Sequence, residues 1–187
     1  MDTRITQFFT PARALLASAL TLGLAAAACD DDAGETTAEP GALTEQEREH
    51  LETFDDLDFN VFSGQEWERL GHSHAQDIIV HWPDGRTTEG IEPHLEDLKA
   101  MFVFAPDTRI VEHPIRVASG EWTAVMGVMQ GTFSEPMPQA DGTVIEPTGR
   151  AFVIPMSTLA HWQDGTMDEE WLFWDNLLFY SQLGLIE

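Results

Sequence analysis

Hydrophobic positions along this chain change their period part-way. In LTEQEREHLETFDDLDFNVF, Leu51, Phe54, Leu57 and Val61 recur three or four residues apart, the spacing of one buried helix face. Thr44 followed by Glu47 is a capping box that starts this helix. SGQEWERLGHSH repeats the device with Ser63 and Glu66 and carries Trp67 and Leu70, so two helices are expected to open the domain. DIIVHWPDGRTTEG reads as a short hairpin turning near Pro83, Asp84 and Gly85. IEPHLEDLKAMF then predicts a third helix, with Ile91, His94, Leu95, Leu98 and Phe102 at helical spacing.

Beyond Asp107 the period falls to two. TRIVEHPIRVASGEWTAVMGVMQGTF predicts two strands about a turn at Ser119 and Gly120, and RAFVIPMSTLAHWQDGTMDEEWLFWD predicts two more about Asp164 and Gly165. Gly127, Gly131 and Pro155 mark expected bends or bulges. The Pro- and Gly-rich SEPMPQADGTVIEPTG is expected to be a long loop at the mouth of the sheet, and NLLFYSQLGL a short closing helix. Helices followed by a meandering antiparallel sheet form an α+β layout. A sheet of this length curls, and one curled around the opening helices encloses an apolar cone suited to a small ligand.

Ahead of the domain, Arg4 and Arg13 flank a mostly polar start to LLASALTLGLAAAAC, an apolar run of signal-peptide length. It is shorter than the roughly 20 residues of a bilayer span. LAAAAC resembles a bacterial lipoprotein signal, with cleavage before Cys29 and a lipid on that cysteine, although Ala26 replaces the more usual Leu. Ordinary secretion with a spare thiol is the alternative. Cys29 is the only cysteine, which excludes an intrachain disulfide and a cysteine metal site. The expected division is a signal over 1–28, a flexible acidic tether over 29–43 and one cone domain over 44–187. The expected location is exported and lipid-anchored in the bacterial cell envelope, with the anchor as the only membrane contact.

The whole chain carries 9 basic and 33 acidic residues; loss of Arg4, Arg13 and Asp2 with the leader leaves 7 and 32. Such a charge repels phosphate backbones and argues against a nucleic-acid partner. No GxSxG, phosphate-cradling Gly-rich loop or dinucleotide fingerprint is present. His72, His74 and His81 lie close in sequence but match no familiar zinc spacing, so no metal is expected.

DIIVHWPDGRTTEGIEPHLEDLKAMF, the long hairpins after it, and the tail EEWLFWDNLLFYSQLGL together resemble the SnoaL-like polyketide cyclases, also called ester cyclases, of the nuclear transport factor 2-like superfamily. The tail is the sharpest part, through Glu170, Trp171, Asp175 and QLGL. The resemblance implies a cone fold and an intramolecular aldol closure without metal or cofactor. It also implies that an aspartate of the last strand serves as general acid/base, and the matching position is Asp175. A carboxylate among Trp171, Phe173 and Trp174 would lose solvation and become a better base. The competing reading makes Asp175 the cap of the closing helix.

His81, before the Trp82–Pro83 turn, and His113, sharing a strand face with Val111, Ile115 and Val117, are the other catalytic candidates. Alternation groups Glu169, Trp171, Phe173 and Asp175 on one face of the last strand. Trp171, Phe173, Trp82, His161 and Met129 are therefore the candidate ligand-cavity lining. A register slip of one residue would exchange the two faces. Three functions compete: acid/base chemistry on a small apolar carbonyl compound, a non-catalytic envelope module holding such a ligand, and an interaction domain, as in a homodimer through the outer sheet face.

Overall fold

The computed structural model describes residues 41–186; the leader and Cys29 lie outside them. The Thr44 hydroxyl accepts the Glu47 N–H and the Glu47 carboxylate accepts the Thr44 N–H, which starts α1 (Glu45–Asp56) as its capping box requires. At Leu57 the helix widens into a π-helical segment, Leu57–Phe62, that keeps Leu57, Asp58, Val61 and Phe62 buried. Ser63 does not start a second α-helix. Its hydroxyl donates to the Asp58 carbonyl (2.6 Å) and accepts the Ile110 N–H (2.9 Å), tying the segment to the sheet. A 3₁₀ helix, Trp67–His72, takes the place of the expected helix.

The sheet strands are β1 (His74–His81), β2 (Thr87–Glu89), β3 (Arg109–Ser119), β4 (Trp122–Thr132), β7 (Ala151–Gln163) and β8 (Thr166–Trp174). Helix α2 (Ile91–Phe104) follows β2, and α3 (Asn176–Leu183) closes the chain. The spatial order is β2-β1-β8-β7-β4-β3; β1 runs parallel to β8 and every other pair is antiparallel. The expected loop contains a small hairpin of its own, β5 (Met137–Pro138) with β6 (Val144–Ile145), where Asp141 accepts the Thr143 N–H. At the last hairpin Asp164 and Gly165 both take positive φ, 52° and 84°, as a two-residue type I′ turn demands.

Of the three residues expected at bends, Gly127 alone meets one, opposite the β3 irregularity between Glu112 and Ile115. β4 and β7 pair without a break from Trp122–His161 to Thr132–Ala151, Pro155 included. The irregularities lie in β3 between Ile110 and Ile115, in β1 between His74 and Ile79, and at His161–Trp162 of β7. Gly131 serves close approach instead, since a Cβ there would sit 2.7 Å from the Phe152 ring. The curved sheet wraps the N-terminal helices and leaves two apolar clusters, one around Phe54, Ile78 and Trp162, the other around Phe102, Phe152 and Phe179. Leu98, Met156 and Trp174 pack against both, and the cavity lies there.

Candidate active site

An inner cavity of about 80 Å³ is walled by Phe54, Leu57, Leu98, Met129, Met156 and Leu172, with Asp58, His74, His94, Thr158 and Glu170 as its buried polar groups. It shares Trp82, Asp97, Met101 and Trp174 with an outer groove of about 730 Å³. The groove is apolar through Phe104, Met137, Ile145 and Phe179, and Arg86 at its edge pairs with Asp97 (3.0 Å) over the Trp82 ring.

Asp58 enters the cavity from the π segment. Its Oδ2 lies 2.8 Å from His113 Nε2, while His113 Nδ1 lies 2.7 Å from Asp55 Oδ1. Arg116 pairs with the other oxygen of Asp55, and the His113 ring sits between Phe54 and Phe59. Burial pushes the Asp58 carboxyl up, against the hydrogen bond and charge of His113, and the nearby Glu170 charge adds to the rise. Burial resists protonation of His113, yet the hydrogen bonds and charges of Asp58 and Asp55 hold it above the ordinary histidine range.

Glu170 comes from β8, His74 from the first residue of β1, and His94 from the first turn of α2. Glu170 Oε1 lies 3.3 Å from His94 Nε2 and 3.8 Å from His74 Nε2. The Ser73 hydroxyl donates to the Leu70 carbonyl (3.1 Å), which leaves a lone pair for His74 Nδ1 at 2.9 Å. Glu170 Oε1 and His94 Nδ1 are buried without a hydrogen-bond partner. Burial drives His94 down to about 4, overriding the pull of the Glu170 charge. Burial also resists ionisation of Glu170, but His74 and His94 together hold its carboxyl below the ordinary range.

A profile of the SnoaL-like polyketide cyclases matches residues 56–183, which spans the π segment, the whole sheet and α3. The chain belongs to that family. Among solved structures, a protein described as a SnoaL-like polyketide cyclase from Jannaschia sp. CCS1 is 19% identical, with a TM-score of 0.67 over 78% of this chain and 99% of its own. IdmH, described as a polyketide cyclase from Streptomyces antibioticus, is 26% identical, with a TM-score of 0.62 over 72% of this chain and 98% of its own. A protein with a ketosteroid isomerase-like fold from Catenulispora acidiphila is 16% identical, with a TM-score of 0.58 over 72% and 94%. No curated protein matches the chain in sequence.

Within this SnoaL-like cone the residues singled out from the sequence separate. Trp82 and Met129 line the cavity. His113 reaches it only through Asp58. Asp175 is exposed, and its Oδ1 accepts the Leu178 N–H (3.0 Å) as the N-cap of α3; it does not face the cavity. Trp171 and Phe173 share the outer sheet face with His81 and His161. There His81 Nε2 pairs with Glu169 (2.7 Å) and stacks on Trp171, and His161 Nδ1 pairs with Asp168 (2.6 Å) beside Trp122. The reason is parity: Glu170, Leu172 and Trp174 face inward, so the alternate set of β8 faces out. In β3 the bulge turns His113 inward while Val111, Ile115 and Val117 stay exposed.

Asp58 and His94 were not site candidates from the sequence, His74 was weighed there only as a metal ligand, and Glu170 entered only as part of the resemblance. Three of them carried a readable signal. Asp58 lies four residues after Phe54 and three before Val61, His94 sits on the apolar stripe of its helix, and Glu170 alternates with Leu172 and Trp174. A polar side chain on an apolar face is the mark of a cavity group.

Proposed function

We propose that the protein binds a small apolar carbonyl compound in its cone and catalyses proton transfer at the carbon beside the carbonyl, with Asp58 as the acid/base. The supporting observation is a buried carboxylate raised by desolvation, hydrogen-bonded to a histidine and set in the wall of a largely apolar cavity. As a base, Asp58 takes a proton from carbon; the C–H electron pair becomes the enolate double bond and the carbonyl π pair moves to oxygen. The proton stays on Asp58 until it returns to carbon, or to the alkoxide formed when the enolate carbon closes a ring on a second carbonyl. His113, held by Asp55, positions the Asp58 carboxylate and supplies opposing charge.

Size directs the substrate. The inner cavity holds only the reacting end, and the larger apolar groove beside Trp82 and Trp174 suits the rest of the molecule. Four of the proteins of this fold compared in structure are described as polyketide cyclases and one as having a ketosteroid isomerase-like fold, which supports a carbonyl compound as substrate. The leader supports the further proposal that this chemistry takes place at the cell envelope, with the chain anchored through a lipid on Cys29.

The test is deuterium exchange at the α-carbons of a panel of ketones and β-keto esters, followed by NMR. The native protein is expected to exchange at least one of them, and Asp58→Asn, which keeps an acceptor for His113, to slow it by about 10²- to 10⁴-fold while still melting cooperatively. Equal exchange by Asp58→Asn would remove Asp58 from the chemistry. Binding of a panel compound without any exchange would instead identify a carrier.

A further inference from the structure

We propose that His74, His94 and Glu170 form a binding site for one borderline first-row divalent cation, of which Zn²⁺ is the type, at the inner wall of the cavity. The expectation of no metal was drawn from spacing along the chain. The three donors instead come from β1, α2 and β8, which only the fold brings together.

All three ligating atoms lie within 4.8 Å of one another, and Glu170 Oε1 is 3.3 and 3.8 Å from the two histidine Nε2 atoms. A cation bonded at about 2.0–2.2 Å to imidazole nitrogen and carboxylate oxygen holds neighbouring donors roughly 3 Å apart. The carboxylate therefore already stands near its place. Glu170 is 3% exposed, and its Oε1 has no hydrogen-bond partner although both rings face it. A buried carboxylate oxygen left unmade is costly, and a cation between it and the rings removes that cost. Ser73 gives the outer support that metal-binding histidines require, since its hydroxyl holds His74 by Nδ1 and presents Nε2 to the cavity.

Two imidazoles and one carboxylate select a metal of intermediate softness and leave a coordination position open to the cavity. The inference deepens the enolisation reading, because a cation there would face the substrate's carbonyl oxygen and stabilise the charge that Asp58 generates.

The experiment uses the untagged full chain, stripped with a chelator, and no substrate. Zn²⁺ is titrated by calorimetry, and Co²⁺ by its visible ligand-field absorption. One equivalent is expected, with an intense Co²⁺ spectrum of low coordination number. His94→Gln and Glu170→Gln should each weaken binding by more than about 100-fold, beyond the 10- to 100-fold typical of outer partners, and Ser73→Ala by about 10-fold. A melting curve accompanies each variant; should either ligand variant fail to fold, His74→Gln provides the same comparison. Absence of binding by the folded native chain overturns the proposal and leaves Glu170 as the ion-pair partner of His74. Binding that is equal in all variants also overturns it, assigning the metal to the acidic surface. Asp58→Asn separates the two readings, since it should keep the metal while losing deuterium exchange.

Discussion

Asp175 keeps its carboxylate in solvent and gives one oxygen to the Leu178 N–H, an arrangement that caps a helix. Asp175→Asn is accordingly expected to leave deuterium exchange unchanged. Asp175→Ala should cost about 1 kcal/mol, read as a fall of about 2–4 °C in Tm for a chain of this size. His113 makes a prediction with a defined sign. Its pKa is raised in the folded state by Asp58 and Asp55, so its stabilisation is fully present below the unfolded value near 6.5 and is lost as pH rises through the folded value. Arg116 beside Asp55, and Glu170 and His74 near Asp58, are the other charges in this cluster. Denaturant unfolding should therefore show His113→Gln losing more stability at pH 6 than at pH 9. A cost independent of pH would mean that His113 contributes packing alone. Capping by Asp175 was legible in the sequence as one of two readings. Its catalytic reading could not be tested there, because helix caps and strand-end bases draw on the same residue type.

At the scale of elements, the site depends on two local departures from regular structure and on the parity of one strand. The π segment after α1 sets Asp58 on the buried face, the β3 bulge turns His113 toward it, and the parity of β8 sends Glu170 inward and Trp171 outward. The three α-helices and the long strands followed from periodicity, whereas the second expected helix is a 3₁₀ segment, and the capping box located the first helix boundary. Bulges were not legible, because one extra residue in a strand changes faces without changing the alternation of residue types on either side. The tail illustrates this, since both faces of β8 carry aromatic side chains and alternation alone does not distinguish inside from outside. Gly131 tests the packing between β4 and β7. With a Cβ placed 2.7 Å from the Phe152 ring, Gly131→Ala should destabilise by about 1–3 kcal/mol through overpacking, and Phe152→Leu in the same chain should recover part of it. Thermal unfolding of the single and double variants measures both.

At the scale of the whole molecule, the cone places a small inner cavity behind an apolar groove, a layout that suits the proposed substrate with its reacting end inside and its body outside. The proposed anchoring at Cys29 belongs to this scale as well. Expressed in a bacterium, the full chain is expected in the membrane fraction and Cys29→Ser in the soluble one; a soluble native chain would favour ordinary secretion. By itself the sequence determined the α+β class, the SnoaL-like family, the strong acidity and the apolar character of the interior. These depend on periodicity, composition and local motifs, which are written along the chain. Only the tertiary structure decided which carboxylates and histidines share the cavity. Asp58, His74, His94 and Glu170 meet through the register between the parallel first and last strands and through helices packed across them. Such long-range pairing is set by the packing of the folded core, not by neighbours in sequence.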